Sequence, residues 1–158
     1  MMTEWLKWTA PAAIVMSIAS PAYAAQYMSV NEAQKHAFPN ATGFAEVQAG
    51  RVWKAQSGGS VVGFFYSDHV IGKHLFIDYT VALEPDGRVR RVDILAYRES
   101  YGGEVNDASW LQQFVGKSSH SEVQVNSDIR NISGATLSST HLTEGVKKVL
   151  AYHASHFH

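Results

Sequence analysis

Hydrophobic positions along this chain change period several times, and each change marks an element. Ser29 stands three residues ahead of Glu32 as a capping box, and Val30, Ala33, Ala37 and Phe38 give the helix it opens an apolar stripe that Pro39 closes. Residues 44–56 alternate loosely through Phe44, Val47, Val52 and Trp53, predicting one or two short strands. Gly58-Gly59 predicts a turn, and Val61, Val62, Phe64 and Phe65 predict a buried strand over residues 60–66, with a loop over 67–73. From 74 to 83 the period is two, with Leu75, Ile77, Tyr79, Val81 and Leu83 on one face. Glu84-Pro85-Asp86-Gly87 then turns the chain back into a strand over 88–97. There Val89, Val92, Ile94 and Tyr97 keep the alternation only across an irregularity of register.

The second half is more polar. Residues 98–105 read as a loop that turns sharply at Gly102-Gly103. Asp107 caps a helix over 108–115 that Gly116 ends, and Val123 with Val125 suggests a short strand after a polar connection. A hydroxyl-rich stretch over 128–139 precedes a long helix carrying Leu142, Val146, Val149 and Leu150 at helical spacing. A helix, then strands, then two helices predict an α+β fold: a mostly antiparallel sheet with packed helices, in a single domain.

Composition narrows the chemistry. The chain has 158 residues, 46% of them hydrophobic and 17% charged, enough for one domain with a real core. Its formal charge of −1 gives no electrostatic footprint for nucleic acid or anionic lipid. The absence of cysteine excludes disulfides, thiolate catalysis, zinc–thiolate sites and iron–sulfur clusters. Residues 1–24 read as a secretory signal: a short head with Lys7, an apolar run over 10–19 that Pro21 ends, and Ala22-Tyr23-Ala24 as the cleavage site. That predicts an exported, periplasmic chain cleaved after Ala24, the mature domain occupying 25–158.

Ser133-Gly134-Ala135-Thr136-Leu137-Ser138-Ser139 is the stretch with chemical content. Hydroxyls crowd a predicted helix N-terminus, where free N–H groups and the helix dipole favour a phosphate, while Gly134 and Ala135 leave room for a bulky group. An ordinary Ser/Thr-rich cap has the same composition. Self-catalysis is disfavoured, because a threonine hydroxyl needs an activating base or metal and His141, five residues on, does not face Thr136 round a helix. A threonine modified by another enzyme needs only exposure and small neighbours. Elsewhere, Glu99 and Glu104 read as a solvated loop before an acid/base pair. His153, His156 and His158 read as a frayed, solvated terminus before a metal tract.

The run from Ser133 to Ser138 resembles the flavin-attachment motif of the FMN-binding domain family, found in subunits of sodium-pumping NADH:quinone oxidoreductase and Rnf complexes and in small exported proteins. Val70-Ile71-Gly72-Lys73-His74, Pro85-Asp86-Gly87, residues 97–104 and 110–117, and the helix end at Phe38-Pro39 resemble family segments in the same order, so the likeness runs over about residues 30–150. The resemblance implies FMN held as a phosphoester on Thr136, attached by a separate magnesium-dependent flavin transferase of the ApbE type with FAD as donor. It implies cofactor-binding roles for Ser133, Gly134, Ala135, Leu137 and Ser138, and for Glu99, Tyr101 and Gly102 in the polar loop. Tyr97, Tyr101, Trp110 and Leu137 are the platform candidates for the flavin ring. Ser138 and Ser139 are expected to reach the phosphate. The chain departs from the family at Arg130, where many members have a carboxylate; Asp128 is two residues earlier. The implied function is electron transfer between a membrane redox partner and an acceptor. A non-redox exported adaptor and a terminal flavin reductase are the alternatives.

Overall fold

The computed structural model describes residues 25–158; the signal segment expected over 1–24 lies outside them. Five consecutive strands form an antiparallel meander: β2 (Gly43–Gln48), β3 (Val52–Ser57), β4 (Ser60–Ile71), β5 (Phe76–Leu83) and β6 (Val89–Tyr97). The short β1 (Ala25–Gln26) pairs with the free edge of β6, giving the order β1-β6-β5-β4-β3-β2. This is the expected α+β architecture.

Alternation along the strands builds two cores. Phe65 and Ala82 face α1 (Val30–Ala37), packing with Ala33, Ala37 and Phe38. Phe64, Tyr66, Ile77, Tyr79, Val81 and Leu83 face the other way, towards α2 (Ala108–Leu111) and α3 (Thr136–His156). Helices therefore cover both faces of the sheet, as burying each apolar face requires. The capping box opens α1: Ser29 N donates to Glu32 Oε2 at 2.6 Å and Glu32 N to Ser29 Oγ at 3.2 Å. The irregularity of the β5–β6 hairpin is real, with register shifts between Asp78 and Tyr79 and between Ala82 and Leu83 of β5.

Several local expectations change. The predicted loop over 67–73 is mostly strand, since β4 continues to Ile71 with Ser67, Asp68, His69 and Val70 paired to Thr80, Tyr79, Asp78 and Ile77. Polar side chains did not stop it because the ladder is made by the backbone. Asp68 also meets Arg51 at 3.1 Å, and the His69 ring lies edge-on to Phe76. The helix over 108–115 divides into α2 and a 3-10 turn, Gln112–Phe114. Val125 makes only an isolated bridge to Ile129 in place of a strand. The C-terminus is not frayed: α3 reaches His156, and His153 is buried with Nδ1 2.8 Å from Tyr66 Oη. Among the described residues no helix is long and apolar enough to cross a membrane.

Candidate functional site

Thr136 is the first residue of α3 and is exposed to solvent. Gly134, at φ +83°, turns the chain into the helix in the left-handed region that suits glycine. Of the three α-helices among the described residues, two begin with a side chain that satisfies free N–H groups. Ser29 does so for α1, and Asp107 for α2, accepting from Ser109 N and Trp110 N. The longest helix has no such cap. Ala135 precedes it, and the first intrahelical bond is Ser139 N to the Ala135 carbonyl at 2.9 Å. Among the described residues the N–H groups of Thr136, Leu137 and Ser138, at the open helix end, meet no side-chain acceptor. Those donors, with an exposed hydroxyl among them, stand at the positive end of the helix dipole, an environment that favours an anion.

Three connections hold this end in place. Asn131 Nδ2 donates to Thr136 Oγ1 at 3.2 Å, and Ser139 Oγ lies 3.0 Å from Asn131 Oδ1. Tyr97 Oη donates to the Tyr101 carbonyl and lies 2.9 Å from Ser138 Oγ, tying α3 to the end of β6 and to the polar loop. Gly102, at φ +89°, packs on that pair: a Cβ there would sit 2.4 Å from Tyr97 Oη and 2.9 Å from Ser138 Oγ. The loop itself is fastened to the β4–β5 turn. Glu99 accepts from the backbone N–H groups of His74 and Leu75, the latter at 2.7 Å, and Arg98 bonds Asp78 at 2.7 Å. Burial raises the Glu99 carboxyl, but the His74, Leu75 and Lys73 N–H donors and the nearby His74 charge together hold it below its ordinary value.

The structure thus gathers Ser133, Gly134, Ala135, Thr136, Leu137 and Ser138 with Tyr101 and Gly102 about one helix end. Their parts differ from those expected. Ser138 and Ser139 are buried, 5% and 0% exposed, and bonded inside the protein, so neither hydroxyl is presented at the open end of the helix. Of the platform candidates, Tyr97 and Trp110 are buried, whereas Leu137 at 48% and Tyr101 at 87% exposure offer open surface. Ser133 and Gly134 are exposed, and Ala135 is buried. Glu99 closes the β4–β5 turn by accepting from the His74 and Leu75 N–H groups. Asp128 is committed as well: it accepts from Val123 N at 3.0 Å and Gln124 N at 2.9 Å and pairs with Lys117 at 3.1 Å. That clamp holds a loop in which Val123, buried and β-branched, takes φ +48°. Arg130 is fixed through its backbone, its N–H donating to Gln113 Oε1 at 2.8 Å and its carbonyl accepting from Trp110 Nε1 at 2.7 Å.

Two hollows flank this end of α3. One, of about 370 Å³, is lined by Thr136, Thr140, Glu144 and Lys147 of the helix and by the loop from Val123 to Asn126. The other, broader at about 760 Å³, lies under Tyr101, Gly102, Glu104, Trp110 and Ile132. Both are within the size of ordinary cofactor sites. A third cleft, lined by Arg51, Tyr66, Lys148 and Tyr152, is remote: Lys148 is about 18 Å along the α3 axis from Thr136. Asn131 and Gln113 are the site residues that the pattern of the sequence did not single out.

Residues 72–151 match the family model described as FMN-binding domain. The matched span begins at the β4–β5 turn and takes in the polar loop, α2, Thr136 and most of α3; the helix end at Phe38-Pro39 falls outside it. No curated protein matches the chain.

Proposed function

The chain belongs to the FMN-binding domain family, and from that premise we propose that it is an exported flavoprotein carrying FMN as a phosphoester on Thr136 and relaying electrons between a membrane redox protein and an acceptor. The observation that carries the reading is the uncapped start of α3, with the Thr136 hydroxyl exposed among unpartnered N–H groups. A phosphate joined to Thr136 Oγ1 is within reach of those donors and of the positive end of the helix dipole, which lower the cost of its charge. Bound FMN supplies one- and two-electron redox chemistry. Leu137 and Tyr101 offer apolar surface beside the attachment point, and the backbone of residues 98–104 is held rigid near it by Glu99, Arg98 and Tyr97.

Attachment needs a second protein. Among the described residues the side-chain partner of Thr136 Oγ1 is Asn131, which is not a base. That fits a substrate of an ApbE-type flavin transferase. Covalent attachment also suits export, because a cofactor lost outside the cytoplasm is not readily replaced.

Intact mass of the protein recovered from transferase-containing cells tests the reading. The parent is expected to carry about 440 Da beyond its polypeptide mass, from FMN less water, and Thr136→Ala none. Equal masses apart from the substitution would refute it, as would a colourless parent.

A further inference from the structure

Asn131 bonds the Thr136 hydroxyl, and both ends of that contact are held. The backbone is fixed on either side, by Gln113 and Trp110 at Arg130 and by the bond from Ala135 N to the Ile132 carbonyl at 2.9 Å. The side-chain amide is oriented too. Ser139 is fully buried, and its one hydroxyl hydrogen is shared among Asn131 Oδ1 and the carbonyls of Ala135 and Thr136, at 3.0, 3.0 and 3.1 Å. With Oδ1 turned to that donor, the NH₂ group faces Thr136.

We infer that Asn131 is a positioning residue for flavin loading, holding the Thr136 hydroxyl in one rotamer with its remaining lone pair free to face the incoming phosphorus and its proton free for a base of the transferase. The inference rests on the reading of Thr136 as the FMN acceptor. In the transfer, Thr136 Oγ1 bonds to the FMN-side phosphorus of flavin adenine dinucleotide and the anhydride P–O bond breaks. AMP leaves with that electron pair, and the hydroxyl proton passes to the transferase. Nothing is oxidised or reduced. A threonine hydroxyl that swings among its staggered positions spends much of its time misdirected, and an N–H donor on one lone pair removes that freedom. Once Thr136 carried the phosphoester, the same NH₂ would be a donor available to its anionic oxygens, and a charge-assisted bond is stronger than the neutral one it would replace. The role belongs to this chain's own arrangement, in which Asp128 is spent on the 123–124 backbone and Arg130 brings no carboxylate.

The test follows mass gain with time, using unloaded protein, a purified transferase and magnesium FAD. Asn131→Ala is expected to lower the maximal rate about tenfold while leaving the half-saturating concentration of acceptor protein unchanged. Ser139→Ala should slow loading less, and the double variant should be no slower than Asn131→Ala alone, because both act through one contact. A parent that gains no mass refutes the flavin reading itself. A parent that loads, with Asn131→Ala loading at the same rate, overturns the positioning role and leaves that reading standing. A second measurement needs no transferase: the side-chain amide NMR resonances of Asn131 in unloaded protein should shift in Thr136→Val, and unchanged resonances overturn the inference.

Discussion

The hydroxyl of Ser138 lies 2.9 Å from that of Tyr97, and Tyr97 donates its own proton to the carbonyl of Tyr101. Ser138 is therefore the donor of the pair. A helix residue, the last residue of β6 and the polar loop are joined through two buried oxygens, two residues along α3 from the exposed Thr136. The motif serine supports the geometry of the site from beneath.

Gly102 is the residue that allows this contact, and Gly102→Ala is expected to destabilise the fold by about 2–4 kcal/mol. Left-handed backbone in a residue with a Cβ and overpacking against Tyr97 Oη both contribute. Urea denaturation measures it. A variant as stable as the parent would show that the loop does not pack on the hydroxyl pair.

Tyr79 is fully buried between the sheet and α3, against Gly145, and its hydroxyl is without a hydrogen-bond partner among the described residues. Replacing Tyr79 with Phe removes an unpaired buried polar atom and keeps the ring. The expected outcome of Tyr79→Phe is a gain of about 1 kcal/mol in the same denaturation experiment. A loss of that size would mean that the hydroxyl has a partner in solution.

His153 gives the fold a pH dependence. Burial among Phe64, Tyr66 and Phe157 lowers its pKa below the ordinary 6.5, and the neutral ring can accept the Tyr66 proton at Nδ1. Above pH 6.5 neither the folded nor the unfolded form carries the proton, and the histidine adds no slope. As pH falls below that value the unfolded chain takes up a proton that the folded one refuses, so stability drops until the folded pKa is reached. Thermal midpoints should therefore decline from about pH 7 to about pH 5, with a smaller decline in His153→Gln. Identical slopes in the two proteins would assign the effect to other groups.

Much of the fold was legible from local pattern. The capping box at Ser29 and Glu32, the turn at Glu84-Pro85-Asp86-Gly87 and the alternation from Ile77 to Leu83 are each written within a few residues and form as their spacing implies, whereas Leu75, expected on the same buried face, lies ahead of β5 and is 48% exposed. The extension of β4 over Ser67, Asp68 and His69 was not legible. Those side chains read as loop, and only the presence of β5 alongside supplies the backbone partners that make them strand. His153 misled for the same reason, since nothing near it in sequence announces the pocket of Phe64 and Tyr66, far earlier in the chain.

By itself the sequence determined where hydroxyls and small residues concentrate, and that Thr136 has no base nearby, because those are properties of neighbours along the chain. Only the tertiary structure decided what each hydroxyl does. The helical turn sends Ser138 and Ser139 inward and Thr136 outward, and β6 and the 98–104 loop arrive to bond the first of them. Asp107 and Ser29 cap their helices from the preceding residue, while α3 follows Ala135 and begins uncapped. The open helix end, the exposed threonine and the amide of Asn131 form one site because the chain folds them together, with spacing along the sequence fixing only which atoms are available.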